Sequence, residues 1–360
     1  MSSAAPPRAK HDRIQVLDAF RAIAIIAVLL FHYLYRWAAP FNPADLVGLS
    51  HSYPFVKFGY LGVEFFFIIS GFVIYMTLER CDSVVQFFVR RFARLYPAYV
   101  VALVVSFLIV NAFGPAEFHR SVREFLYGLT MQSAQFNVQY VDGVYWSLFV
   151  EIRFYMWAGL IYLLSGRHFD RNWCIFALLA AGAGRISDTL GELYFMSAYI
   201  PFFSFGLFFY RRYSSPENKA SVMLLLTGIV CYVVAWHAEL LAVHAIVLGM
   251  LLAFHAFCSG WLRWLTHPAL LFFGEISYSL YLVHQKIGVI VIGYATHVLH
   301  LPDILALLLG LGCAIGLAFL ITKYVEHVWK RRITRFAETR LIPALSGWRS
   351  YRWLRYQTTK

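Results

Sequence analysis

The stretch RAIAIIAVLLFH, Arg21 to His32, sets ten apolar residues between a strong base and an imidazole. It lies within a longer apolar run over residues 14–35, and a spanning helix needs roughly 20 such residues. Runs of this kind recur along the 360-residue chain, which is 60% hydrophobic and only 14% charged. Soluble domains are nearer half apolar and a quarter charged. The runs are continuous rather than alternating, so they read as helices and not as barrel strands. The expected fold is therefore all-α, a polytopic transmembrane helical bundle of about ten helices. These fall at 14–35, 58–78, 95–113, 144–164, 173–184, 194–210, 221–237, 240–259, 270–296 and 304–325. Segment 114–143 reads as a loop with a short interfacial helix at 123–132.

Charge sets the orientation. Lys and Arg concentrate on one alternating set of segments and both ends; only Arg36, Lys57, Arg120, Arg123 and Arg185 fall on the other set. The positive-inside rule then places the N- and C-termini in the cytosol. It also accounts for the net charge of +12 without nucleic acid. Residues 1–13 form a cytosolic head, 14–325 the membrane domain and 326–360 a basic tail. The first apolar run is too long for a cleaved signal and is expected to remain as an anchor despite Ala38-Ala39 after it. In the tail, WKRRITRFAETR repeats Trp329, Ile333 and Phe336 on one face, the pattern of an interfacial helix on an anionic leaflet. Five cysteines without a CxxC pair read as apolar fillers, and no metal-ligand spacing is present.

Arg21 and His32 are eleven residues apart, about 20° past three full turns, so they share a helix face about 16 Å apart along the axis. Ionisable groups at depth are expensive unless they face a polar interior. Other helices offer similar groups. Glu64 and Gly71 share a face in GYLGVEFFFIISGF, where Gly71 admits a ligand or a helix, and Gly59 and Gly62 suit helix packing. Ser147, Glu151 and Tyr155 line one face of the next polar-striped helix, and Ser277, Tyr281 and His284 line another. Arg90, Arg91 and Arg94 stand together before Pro97, and guanidinium forks suit phosphates.

In order, the chain carries Arg-x10-His (Arg21, His32), Gly-Val-acid-x-Phe-Phe…Ser-Gly-Phe (Gly62 to Phe72) and Arg-x-x-Arg (Arg91, Arg94). Trp-Ser-Leu-x-x-Glu (Trp146 to Glu151) and Ser-Tyr-Ser-x-Tyr-Leu-x-His (Ser277 to His284) follow. Together these resemble acyltransferase family 3, integral-membrane enzymes that acylate surface polysaccharides and related acceptors. The resemblance implies an O-acyltransferase of the inner membrane. Its donor would be cytosolic acyl-CoA, with acetyl-CoA expected, and its acceptor a hydroxyl of an exported polysaccharide or lipid-linked sugar. No bound cofactor or metal is expected; partners would be the bilayer and polysaccharide-assembly machinery. His32, Glu64, Glu151 and His284 are the expected catalytic residues. Arg21, Arg91 and Arg94 would hold donor phosphates, and Ser70, Ser147 or Tyr281 the developing oxyanion. A carboxylate would orient His32. The rival readings are a membrane transporter, whose repeats and broken helices are not visible here, and an acyltransferase with a small-molecule or lipid acceptor. Beyond the basic tail no extracytoplasmic domain is expected.

Overall fold

A computed structural model describes residues 7–36 and 54–346. The start of the head, loop 37–53 and the end of the tail, with the Ala38-Ala39 pair, lie outside the described residues. Those residues are helical and contain no strand. Helix α1 is Pro7–Phe31 and continues as a π-helical turn over His32–Arg36. There follow α2 Gly62–Arg80, α3 Val84–Phe113, α4 Val122–Gly128, α5 Trp146–Ser165, α6 Phe169–Ile186 and α7 Ile200–Ser214. The rest are α8 Ala220–Trp236, α9 Leu241–Ser259, α10 Pro268–Val283, α11 Gln285–His297, α12 Asp303–Leu320, α13 His327–Phe336 and α14 Ile342–Ser346. Among the described residues seven helical stretches are long and apolar enough to cross a membrane, or eight if the bent pair α10 and α11 is one span. The protein is thus an all-α, multi-pass membrane protein. Helices also stand at the two remaining expected positions: α6, and the 17-residue apolar α8.

Three expectations change. First, α3 begins at Val84, well before 95, so Arg90, Arg91 and Arg94 lie on the same helix as Pro97 and not in a loop before it. Second, the run 270–296 is not one helix: α10 and α11 meet at His284 with a bend of 76°. Third, the last apolar helix does not stop at 325 but runs on through π-helical Ile321–Glu326 into α13. The short helix in 114–143 is present as α4. Its capping box explains its start: Ser121 Oγ accepts from Glu124 N at 3.3 Å, and Glu124 Oε2 accepts from Ser121 N at 2.7 Å.

The chain divides into two units. The first draws on Met1–Val63, Leu95–Phe149 and Arg263–Val328. Here α1 lies against α10 and against the segment before α2, and backbone contact fixes the packing. A Cβ on Gly274 would meet the Asp18 carbonyl oxygen at 2.1 Å, and one on Gly59 the Ala27 carbonyl oxygen at 2.2 Å. Small residues at such crossings are how helices approach closely in lipid. The second unit draws on Glu64–Arg94, Val150–Leu262 and Trp329–Lys360. In it α2 meets α7 through Gly71 and Gly206, whose Cβ atoms would collide with the Phe203 and Ile68 carbonyl oxygens. Gly71 therefore admits a helix. Arg211 ties α7 to α2 and α6 by ion pairs to Glu79 (3.0 Å) and Asp170 (2.9 Å), with Tyr75 bonded to both Arg211 and Asp170.

Gly274→Leu is expected to lower the thermal unfolding midpoint of the detergent-solubilised protein, because backbone on both sides leaves the side chain no room. Overpacking of this kind costs about 1–3 kcal/mol. Gly182 has nothing within 4 Å of its would-be Cβ. Gly182→Ala should therefore leave the midpoint unchanged or raise it, in keeping with the roughly 1 kcal/mol helix-propensity gain.

Candidate active site

In the first unit, His32 stands at the end of α1, where the helix widens into its π turn. Its Nδ1 lies 2.9 Å from the Val28 carbonyl oxygen and 3.2 Å from His284 Nε2. His284 is fully buried, and its Nδ1 lies 2.9 Å from the Tyr281 oxygen and 3.2 Å from the Leu280 oxygen. These partners fix the hydrogens of the neutral rings. Carbonyls only accept, so His284 Nδ1 carries a hydrogen and its Nε2 is a lone pair. His32 Nδ1 then faces two acceptors, Val28 O and His284 Nε2, and must also carry hydrogen. The nitrogen left with a lone pair at the end of this chain is His32 Nε2. Within this unit the neighbour of His32 Nδ1 is thus another imidazole, that of His284.

The residue after His32 grips the same partner. Tyr33 Oη donates to the His284 carbonyl at 2.7 Å. Only glycine at 288 permits this, since a Cβ there would lie 2.0 Å from Tyr33 Oη. Phe31 closes one side of His32, edge to face at 5.0 Å between centroids. Arg21 pairs with Asp18 at 2.6 Å and is half-buried. Ser147 and Tyr281 meet: Ser147 Oγ is 2.8 Å from Tyr281 Oη, and each hydroxyl lies 3.1 Å from the Val144 oxygen. Both hydroxyl hydrogens are spent inside this triangle.

Beside it lies a group the sequence reading missed. Asp142, fully buried, accepts from Val144 N at 3.3 Å and Lys286 N at 3.0 Å. Burial pushes its carboxyl above the usual carboxylate range, against the pull of the Lys286 amide and ammonium. An aspartate just before the Trp-Ser-Leu run of α5 signals a local cap, but nothing in the sequence points to Lys286.

The second unit holds the other expected residues. Ser70 Oγ donates to Glu151 Oε1 at 3.1 Å, and Tyr155 Oη bonds the same oxygen. Arg91 Nη2 donates to Thr77 Oγ1 at 3.1 Å, while its buried Nε has no partner among the described residues. Arg94 is half-buried. Arg90 pairs with Glu338 at 3.1 Å. Glu64 is buried, and its Oε2 is likewise unpartnered among the described residues. The cysteines are all free thiols, and no cluster of three metal-ligating residues occurs among the described residues.

By the length and composition of its helices the chain is a multi-pass membrane protein, and in its first unit two histidines meet. Residues 14–323 match the model of acyltransferase family 3, described as an acyltransferase domain, and the chain belongs to that family. It is 29% identical over 200 residues to the peptidoglycan O-acetyltransferase OatA of Listeria monocytogenes, a stretch covering 50% of this chain and 29% of that protein. Against nodulation protein 10 of Rhizobium leguminosarum it is 24% identical, over 78% of this chain and 85% of the relative. It is also 27% identical to the acyltransferase MdmB of Streptomyces mycarofaciens over 49% of this chain and 46% of that protein. No solved structure matches. The protein therefore carries a membrane acyltransferase domain, and it spans less than half the length of the Listeria and Streptomyces relatives.

Nitrogen-15 spectra of histidine-labelled protein should find His32 and His284 both in the Nδ1–H tautomer, with His32→Gln and His284→Gln assigning the resonances. Nε2–H signals from either residue would contradict the hydrogen-bond chain.

Proposed function

We propose that the protein transfers an acyl group, acetyl by preference, from acyl-CoA to a hydroxyl of a cell-surface or exported polysaccharide or a lipid-linked sugar. The observation that carries this reading is the histidine chain, which ends in a basic nitrogen at His32 Nε2. That nitrogen takes the proton of the acceptor hydroxyl as its oxygen attacks the thioester carbonyl. The tetrahedral intermediate then expels the CoA thiolate, which recovers the proton from His32. While His32 is charged, its Nδ1–H donates to His284 Nε2, so His284 steadies the imidazolium in the manner of a triad's third member. A lone-pair nitrogen suits this because it is ready to accept a proton at the start of each turnover and gives it up at the end.

The acyl chemistry of the family and the names of its relatives support the acetyl group and the glycan acceptor. The distribution of Lys and Arg supports an inner-membrane protein with both termini in the cytosol, where acyl-CoA is found. The unpartnered Arg91 Nε supports donor binding, since a buried guanidinium N–H without an acceptor is costly and a phosphate oxygen would satisfy it. Arg21 and Arg94 are assigned to the same task. Ser147 and Tyr281 reach an oxyanion only by leaving their own triangle; in the resting arrangement they brace α5 against α10.

His32→Gln should lower acyl transfer by roughly 10²–10⁴ at unchanged expression and unfolding midpoint. Near wild-type acylation of surface glycans, read by mass spectrometry, would remove His32 as the base.

Arg91→Ala should raise KM for acyl-CoA with little change in kcat, because a contact remote from the thioester binds ground and transition states alike. One charge-assisted contact is worth about 1.5–3 kcal/mol, roughly ten- to a hundredfold. An unchanged KM in folded protein would mean that the arginines mark orientation only.

A further inference from the structure

We propose that Asp142 is a positioning residue for acyl transfer: its carboxylate holds the break between α10 and α11 and so aims His284 at His32. The inference rests on the reading of the histidine pair given above. A helix that breaks strands N–H groups at the start of its second half, and within a bilayer there is no water to meet them. Here the Lys286 N–H, in the first turn of α11, is given to Asp142 Oδ2, 144 residues earlier in the chain. The other oxygen, Oδ1, takes the Val144 N–H. Both oxygens are spent and the side chain has 0% exposure, so Asp142 does not touch substrate.

The arrangement has a specific consequence for His284. That residue occupies the cap position of α11, yet its side chain makes no capping bond. A cap supplied from another segment frees the imidazole for the Leu280, Tyr281 and His32 contacts. The anion also sits at the positive end of α11, where a negative charge is favoured. Lys286 balances it with an ammonium held 3.5 Å from the Phe118 oxygen and over the Phe118 ring. The approach is close: a Cβ on Gly143 would stand 2.8 Å from Gln285 Oε1. Without the carboxylate, the Lys286 N–H has a ready alternative in the carbonyl four residues back, and that bond straightens the helix and withdraws the His284 ring. On the other side of the break Tyr33 holds the His284 carbonyl, so the ring is fixed from both ends.

The test uses the full-length protein in detergent, with Asp142→Ala and Asp142→Asn beside His32→Gln. Asn keeps the volume and one acceptor. The expected result is a kcat lower by on the order of 10–100-fold in Asp142→Ala, the scale of a small misplacement of a catalytic group. Asp142→Asn should fall between it and wild type, KM for acyl-CoA should stay within twofold, and the His284 nitrogen-15 resonances should shift. Wild-type kcat per folded molecule, a loss confined to KM, or unmoved His284 resonances would overturn the proposal. So would failure of both variants to fold, which would make Asp142 a residue of the fold alone. An active His32→Gln protein would instead remove the base assignment, and the His284 resonances would still decide whether Asp142 positions the ring.

Discussion

In a bilayer every backbone N–H and C=O must find a partner within the protein, and the first unit contains a helix pair, α10 and α11, that interrupts its own ladder. At His284 the chain turns by 76° between α10 and α11. Asp142, from a distant segment, takes the Lys286 N–H that the turn leaves over, and Tyr33 adds a second donor to the His284 carbonyl, which already accepts from Gly288 N at 3.1 Å. The meeting of His32 and His284 goes with these contacts. Tyr33 can reach the carbonyl only if α1 arrives at the break, and the same arrival brings His32 against His284. The glycines at 274 and 288 serve the same end, since each removes a Cβ that would hold α1 off.

The second unit uses a different economy. Its polar groups gather where helices end: Arg211 joins α2, α6 and α7 through two carboxylates and a tyrosine. Partly buried ion pairs of this kind contribute little net stability, but losing one partner is costly because it leaves a charge uncompensated. Even there Arg211 Nε has no partner among the described residues, and in the same unit neither do Arg91 Nε and Glu64 Oε2. A buried donor or acceptor without a partner is a standing cost, and it persists most readily where a ligand relieves it.

Much of this was legible in the sequence, and for a physical reason. Apolar run length reports directly on the bilayer, so the helices and their order follow from it. The eleven-residue spacing of Arg21 and His32 carried His32 into the site. The break at His284 was not legible, because no proline marks it, and the N–H it strands at Lys286 is met by a carboxylate 144 residues away. Apolar periodicity measures which face meets lipid and is silent about backbone partners brought from elsewhere. The early start of α3 was missed for a related reason. Arg90, Arg91 and Arg94 lower the hydropathy of its first turns, although all three are sound helix formers. The meeting of His32 with His284 was not legible either, since 252 residues separate the two rings and no local pattern links them.

The π turn at the end of α1 bears on how such a chain can vary over time. Between Gly274's contact with Asp18 and the ring of His32, α1 is a rigid ruler. Deleting one residue there would turn the imidazole by about 100° and draw it back by about 1.5 Å, beyond what a change of rotamer restores. Insertions beyond Arg36 do not pass through that ruler. The tolerance of this segment therefore lies in which apolar residues fill it and not in how many there are, and length changes are confined to the chain that follows the π turn.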